Sequence, residues 1–146
     1  MFIIREMMEE DILPISEIEG LSFSDPWSYH TIKDGKNSRY DTWLVLLQDD
    51  MVMGYLVLRV IAFEGELLRI ALRPECRGRG LAKKLMDQLV EYSKNISVES
   101  LFLEVRYSNE KARNLYRSYD FKETSIRKNY YRNPQEDAVV MWLRLT

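Results

Sequence analysis

"RPECRGRGLAKKL", Arg73–Leu85, sets one proline and two glycines among basic residues, directly ahead of a helical pattern. Pro74 ends the run "ELLRIALRP", whose apolar part reads as a strand. Downstream, Leu81, Leu85 and Leu89, with Ala82, Met86 and Val90 beside them, recur at the spacing of one helix face, and the pattern fades at Lys94-Asn95. The stretch is therefore a strand-to-helix junction. A helix start presents unpaired N–H groups and the positive end of its dipole, which is where anions bind. Gly78 and Gly80 lack the Cβ atoms that would hold a bulky anion away from the backbone. From Arg69 to Lys84 six basic residues stand against one acid, Glu75. That local excess suits a polyanionic ligand, and it suits a solvated basic face equally well.

Extending from this junction gives the remaining elements. "FIIRE" (2–6) reads as a strand, and "EEDILPISEIEGLSF" (9–23) as a helix with Ile12, Ile15, Ile18 and Leu21 on its apolar face and Pro14 tolerated in its first turn. "DPW" (25–27) breaks the chain, and Ser28 caps a short helix ending near Gly35. "TWLVLL" (42–47) and "VMGYLVLRVIAF" (52–63) are strands joined by the turn "QDDM", and Glu64-Gly65 is read as the turn into the strand before Pro74. In "SLFLEVR" (100–106), Leu101, Leu103 and Val105 alternate with Phe102, Glu104 and Arg106. Asn109 is placed to cap a helix with the stripe Ala112, Leu115, Tyr116 and Tyr119. "FKETSIRKNYY" and "EDAVVMWLRL" supply two last strands. The order predicts an α/β fold with a mixed, mostly antiparallel central sheet flanked by helices, and a parallel crossover through the helix that starts at Leu81. No repeat, low-complexity tract or linker interrupts the pattern, so residues 1–146 are read as a single domain.

Composition excludes several function classes. The net charge of −2 gives no bulk attraction to nucleic acid or membrane, and neither partner is expected. No apolar run approaches the ~18 residues of a membrane span. "MFIIREMMEED" lacks a basic region followed by a long apolar one, so it is not read as a signal peptide, and a cytoplasmic protein is expected. Cys76 is the only cysteine and His30 the only histidine. One of each, far apart in the chain, does not supply a zinc ligand set, and no metal is expected. A histidine-activated nucleophile would need His30, which has no nucleophile turn near it. Cys76 reads as an incidental thiol despite its place before a helix.

Three glycine-loop patterns compete at the junction. A Walker loop needs G-x-x-x-x-G-K-[ST], and the run from Gly78 to Lys84 has neither that spacing nor the final hydroxyl residue. A dinucleotide fingerprint needs G-x-G-x-x-G, and Lys83 stands where its third glycine belongs. The pattern [RQ]-x-x-G-x-[GA] is met by Arg77, Gly80 and Ala82. With its strand, proline and amphipathic helix, this loop resembles the coenzyme-A pyrophosphate loop of the GNAT N-acetyltransferases, and the order of elements is similar to that fold. "LFLEVRYSNEKARNLYRSYDF", "IRKNYY", "EDAVVMWL" and the upstream "DPWS" resemble the branch of that family acting on ribosomal-protein alanines (the RimI type). One departure is Tyr119-Asp120-Phe121, where the family usually carries Leu-Gly-Phe.

The resemblance implies a set of roles. Acetyl-CoA is the co-substrate. The loop residues Arg77, Gly78, Arg79, Gly80, Leu81, Ala82 and Lys83 hold its pyrophosphate, largely through backbone amides. Ile70, Ala71 and Leu72 pair their backbone with the pantetheine arm, and Asn109 contacts that arm. Glu104 is the proton acceptor and Tyr116 the proton donor. Trp27, Tyr130 and Tyr131 are candidate walls for a peptide N-terminus. The residues alone leave other readings open: Glu104 as a surface strand glutamate, Tyr116 as a core tyrosine, Asn109 as a helix cap, and the aromatics as packing. The implied function is transfer of an acetyl group to the α-amine of an N-terminal alanine of a small-subunit ribosomal protein. The alternatives are a small-molecule amine as acceptor, or a non-catalytic module binding acyl-CoA or the ribosome.

Overall fold

A computed structural model of the chain describes residues 1–146. Seven strands form one sheet: β1 (Phe2–Glu6), β2 (Asp41–Gln48), β3 (Met51–Ile61), β4 (Glu64–Leu72), β5 (Ser100–Arg106), β6 (Lys122–Tyr131) and β7 (Glu136–Arg144). Their spatial order is β1-β2-β3-β4-β5-β7-β6. Every neighbouring pair is antiparallel except β4 and β5, as the crossover reading requires. The helices are α1 (Ile12–Ser22), α2 (Tyr29–Lys36), α3 (Leu81–Asn95) and α4 (Glu110–Ser118). None is long and apolar enough to cross a membrane.

Two apolar layers enclose the sheet. Ile12, Ile15 and Ile18 of α1 and Ile32 of α2 pack on Trp43, Val45, Tyr55 and Val57. On the other face Leu81, Leu85, Met86 and Leu89 of α3 and Tyr116 of α4 pack on Leu44, Leu46, Leu56, Leu58, Leu101 and Leu103. β2 and β3 are buried on both faces, which is why they read as unbroken apolar runs rather than alternating ones. β5 alternates as expected, with Leu101, Leu103 and Val105 buried between half-exposed neighbours.

Local chemistry explains the element ends and two corrections. Ser28 accepts the Thr31 N–H and caps α2. Asp49 and Asp50 both take positive φ in the two-residue β2–β3 turn. The β3–β4 turn lies at Ala62-Phe63, not at Glu64-Gly65, which are already in β4. Gly65 is a glycine for packing: a Cβ there would sit 2.7 Å from Leu101 Cδ2 and 3.0 Å from Leu58 Cδ1. In α1 the expected apolar Leu21 is exposed, and Glu19 is fully buried instead. Seven residues make about two turns, so Glu19 returns to the face of Ile12 while Leu21 falls on the far side.

The α4 terminus is a left-handed cap. The Phe121 N–H reaches the Tyr116 carbonyl (3.1 Å) and the Asp120 N–H the Arg117 carbonyl (2.9 Å), with Asp120 at φ 69°. The buried Phe121 ring closes against Tyr116, centroids 6.0 Å apart. Aspartate thus occupies the position that favours glycine. Asp120→Gly should raise unfolding stability by about 0.5–1 kcal/mol by removing the left-handed penalty, net of added freedom in the unfolded chain. A denaturant midpoint at or below that of the parent protein would contradict this account.

Candidate active site

The sheet divides at one residue. Along β3 and β4 the register runs Val57↔Arg69 and then Leu58↔Leu67, so Leu68 is an extra residue, a β-bulge. The parallel pairing of β4 with β5 ends at Leu67↔Leu103. Beyond it β4 follows β3 to Leu72, and β5 follows β7 to Arg106. The edge of β4 from Leu68 to Leu72 therefore faces a gap rather than a strand. An unpaired edge offers alternating N–H and C=O groups to an extended ligand arm. Ile70, Ala71 and Leu72 lie on this edge.

The glycine loop follows at the end of β4. Gly78 and Gly80 have φ of 76° and 75°, values that favour glycine, and a Cβ on either would meet nothing within 4 Å. Gly80 is the residue before α3, and no side chain caps that helix. Its first N–H groups are thus free for an anion. Leu81 sends its side chain into the core, so its contribution there is its amide. The basic excess is partly structural. Arg69 is ion-paired with Glu19, Arg73 donates to the Val52 carbonyl (2.8 Å) and lies 3.5 Å from Glu17, and Arg77 donates to Ser22 Oγ (3.2 Å). All three tie this region to α1 or β3. Arg79, Lys83 and Lys84 remain exposed without an acidic partner.

Across the gap stands Glu104, its side chain only 12% exposed. Arg127 Nη1 donates to its Oε2 at 2.6 Å, and the Arg127 guanidinium lies over the Tyr130 ring at 4.6 Å. Tyr130 and Tyr131 meet edge-on, centroids 5.0 Å apart, and Arg106 covers Tyr131 at 4.5 Å. Burial first, and then the Glu104 carboxylate, push the Tyr131 hydroxyl up to about 12 and raise Tyr130 as well. Glu66 on β4 is half-buried and raised by burial and by Glu104. Tyr116 is buried, and burial, with a smaller influence of Tyr131, raises its hydroxyl well above the usual range. Glu104, Arg127, Tyr130, Tyr131 and Arg106 thus form one connected group. Asn109 accepts the Ala112 N–H (3.2 Å) and caps α4. Within the expected α4 stripe only Tyr116 is fully buried. Ala112, Leu115 and Tyr119 are half-buried.

The third wall is the segment between α1 and α2. Arg69 lies between the Phe23 ring (4.2 Å) and the Trp27 ring (4.1 Å) and donates to the Asp25 carbonyl (3.1 Å). Trp27 also packs edge-on against Trp43, centroids 5.7 Å apart. The buried Glu19 accepts from the Trp27 N–H (2.7 Å), the Tyr55 hydroxyl and Arg69. A divided sheet, a left-handed glycine loop at a helix start and a carboxylate facing the gap are the arrangement that the resemblance to the N-acetyltransferases implies. The model of the acetyltransferase (GNAT) family matches residues 8–121. The chain belongs to this family. A GNAT relative, the [ribosomal protein bS18]-alanine N-acetyltransferase of Haemophilus influenzae, is 38% identical over 144 residues, 97% of each chain. The crystal structure of the ribosomal-protein-S18-alanine N-acetyltransferase from Escherichia coli is 30% identical, with a TM-score of 0.93 over 100% of this chain and 95% of that one. Arabidopsis thaliana NAA60 in complex with acetyl-CoA shares the GNAT fold at 16% identity, with a TM-score of 0.90 over 99% of each chain.

Two charged groups of this GNAT site escaped the sequence reading. Glu19 and Arg113 are both buried, and each is satisfied by partners far along the chain or across a turn. Arg113 bonds to Glu123 (3.0 Å) and to the Tyr107 carbonyl (2.6 Å). A charge on an otherwise apolar face, as Glu19 is beside Ile12, Ile15 and Ile18, was the one available signal. Glu19→Ala should destabilise the protein by about 3 kcal/mol, because it leaves a half-buried guanidinium, a buried phenol and an N–H without their shared acceptor. Urea unfolding of the variant measures this, and a change below ~1 kcal/mol would show that water replaces the carboxylate without penalty.

Proposed function

We propose that this chain is an N-terminal protein acetyltransferase, moving the acetyl group of acetyl-CoA onto the α-amine of the N-terminal alanine of ribosomal protein bS18. The observation that carries the proposal is the division of the sheet at Leu68, with a free strand edge on one side and Glu104 on the other. Near-full-length likeness to relatives named for this reaction supports the substrate. The reading places one catalytic domain, residues 1–146, in the cytoplasm, where that substrate is made.

The residues present fit the cofactor. Open space at Gly78 and Gly80, free amides at the α3 start and the exposed cations Arg79 and Lys83 suit a pyrophosphate. The β4 edge, Ile70 to Leu72, suits an amide-bearing arm, and Asn109 stands at the start of α4 beside the gap. Bound acetyl-CoA supplies an acetyl group activated as a thioester.

The side chains then divide the proton transfers. An α-amine has a pKa of about 7.7–8.0, so a large share of it is protonated at neutral pH. Glu104 accepts that proton, directly or through one water, and the second proton that the nitrogen loses on becoming an amide leaves through water and restores the one that Tyr116 gives up. Tyr116, a phenol that is protonated at neutral pH, delivers its proton to the departing sulfur. Trp27, Tyr130 and Tyr131 enclose the peptide end. A lysine side chain, with a pKa near ~10.4, stays protonated and is a poor acceptor here.

The test compares a peptide with the bS18 N-terminus, the same peptide blocked at its α-amine, and a polyamine. Acetylation of the free α-amine alone is expected. Mass spectrometry that places the acetyl group mainly on lysines or on the polyamine would overturn the assignment. Glu104→Gln and Tyr116→Phe should each bind acetyl-CoA normally and lose about 10²–10⁴-fold in turnover. Rising pH should restore part of the rate to Glu104→Gln, since the amine then loses its proton unaided, but little to Tyr116→Phe. A Glu104→Gln enzyme at parental turnover under chemistry-limited conditions would remove Glu104 from the mechanism. Gly80→Val should lower affinity for coenzyme A about 10- to 100-fold through lost charged hydrogen bonds at the loop. Unchanged affinity by calorimetry in the folded variant would exclude the loop as the anion site.

A further inference from the structure

The acids Glu136 and Asp137, in the "EDA" stretch of β7, take no part in the acetyl transfer described above. Their surroundings give them a task. Side chains of consecutive residues in a regular strand point to opposite faces. Tyr130 and Tyr131 do not behave this way, since their rings touch edge-on and both feel Glu104. The β6–β7 register shows why. Arg127 stands opposite Ala138 and Tyr131 opposite Glu136, so Lys128, Asn129 and Tyr130 together face Asp137 alone. This bulge of three residues against one turns Tyr130 back toward Tyr131 and Arg127.

Such a bulge needs two things. One residue must leave the extended region, and Asn129 does so at φ 53°. The N–H groups taken out of the ladder must find other acceptors. Asp137 supplies one: its Oδ1 accepts the Asn129 N–H at 2.8 Å, and its Oδ2 lies 3.4 Å from Lys128 Nζ. The Asp137 carbonyl accepts the Tyr107 N–H (3.1 Å), which pins the same residue to the turn before α4. The Asn129 N–H, first, and the Lys128 ammonium hold the Asp137 carboxyl below its usual range, as a carboxylate in this role requires. Glu136 serves the next turn: it accepts the Ser108 N–H (2.5 Å) and lies 3.3 Å from Arg106 Nη1, the guanidinium that covers Tyr131.

We propose that Asp137 is a positioning residue for the acceptor peptide, fixing the β6 bulge so that Tyr130 and Tyr131 form one wall over Glu104. The proposal rests on the reading of these tyrosines as the peptide wall. Asp137 touches neither substrate nor cofactor in this scheme. Its loss therefore affects peptide capture and spares the donor half of the site, which is built on β4 and α3.

The experiment measures peptide KM, turnover and coenzyme-A affinity for the intact enzyme and its Asp137→Ala, Asp137→Asn, Asp137→Ala/Asn129→Gly, Tyr130→Ala and Tyr131→Ala variants, each checked for folding by thermal melting. Asp137→Ala should raise peptide KM about tenfold, the equivalent of one hydrogen bond to a charged acceptor. Its turnover and coenzyme-A affinity should stay within about twofold of the parent. Asp137→Asn keeps an acceptor oxygen and should restore KM. Asn129→Gly in the alanine background should recover part of the loss, because glycine takes the left-handed conformation freely. If both tyrosine variants raise KM while Asp137→Ala leaves it at the parental value, the bulge clip is overturned and the wall stands. If neither tyrosine variant changes KM, the wall reading falls and the proposal with it. Equal losses in KM, turnover and coenzyme-A affinity for Asp137→Ala, unrelieved by Asn129→Gly, would make Asp137 a general stability residue and overturn the positioning role.

Discussion

Everything at the site depends on the parting of β4 from β5 after the Leu67–Leu103 pair. Parallel strands need a crossover, and α3 provides it. The crossover must leave β4 at its carboxyl end, so the α3 start falls beside the strand edge that the parting exposes. Ligands of open α/β sheets bind in such crevices beyond the strand ends, where neighbouring connections lead in opposite directions. Here one bulge residue, Leu68, opens the crevice, and one short loop, Arg73 to Gly80, brings the uncapped start of α3 to its mouth. The free strand edge and the glycine loop are consecutive in the chain. A ligand with an extended arm ending in phosphates therefore meets both without any movement of elements.

The two sides of the crevice are built from different materials. The β4 side works through backbone groups, so its side chains serve the core: Ala71, Leu72 and Leu81 are buried. The β5 side works through side chains, and it is held by charges and aromatic rings. Glu104 is paired with Arg127, Arg127 lies on Tyr130, Tyr130 meets Tyr131, and Arg106 covers Tyr131. Arg69 joins the β4 side to the third wall, because it follows the bulge in β4 and is clamped between Phe23 and Trp27. A wall held in this way is ordered before any ligand arrives, so binding spends no free energy on ordering it.

The same division explains what the sequence made legible. Apolar runs, the α3 stripe, the Ser28 and Asn109 caps and the loop glycines are local signals, and each appears in the structure where the pattern places it. Glu104 was visible as an acid on the half-exposed face of an otherwise apolar strand. The bulges at Leu68 and at Lys128 to Tyr130 were not visible, because a bulge is a relation between two strands and neither shows it alone. The buried charges were missed for the same reason. Glu19 finds Tyr55 and Arg69 36 and 50 residues away, and no periodicity within α1 points to either. Gly65 misled for a converse reason: its lack of a side chain answers a tertiary contact with Leu101 and Leu58, whereas the turn itself uses Ala62 and Phe63.

Tyr116, the proposed proton donor, is a core residue held from several sides. Its ring is fixed by Phe121 through the left-handed cap at Asp120. The other end of α4 is fixed by the Asn109 cap and by Arg113, which reaches back to the Tyr107 carbonyl and across to Glu123 on β6. Tyr119, at the last turn, brings its hydroxyl within 2.6 Å of Asp87 Oδ1 and 2.9 Å of the Lys83 carbonyl, both on α3. The helix that carries Tyr116, the proposed proton donor, is thereby tied to the first turns of the helix that follows the glycine loop. This tie sets the depth of Tyr116 relative to the loop through α3, independently of the sheet. An aspartate at the cap can then replace glycine without moving the tyrosine, because the cap hydrogen bonds, the Phe121 contact and the Tyr119 anchor each hold the same end of α4. The penalty of a non-glycine residue at φ 69° falls on overall stability, and the geometry of the hydroxyl is kept.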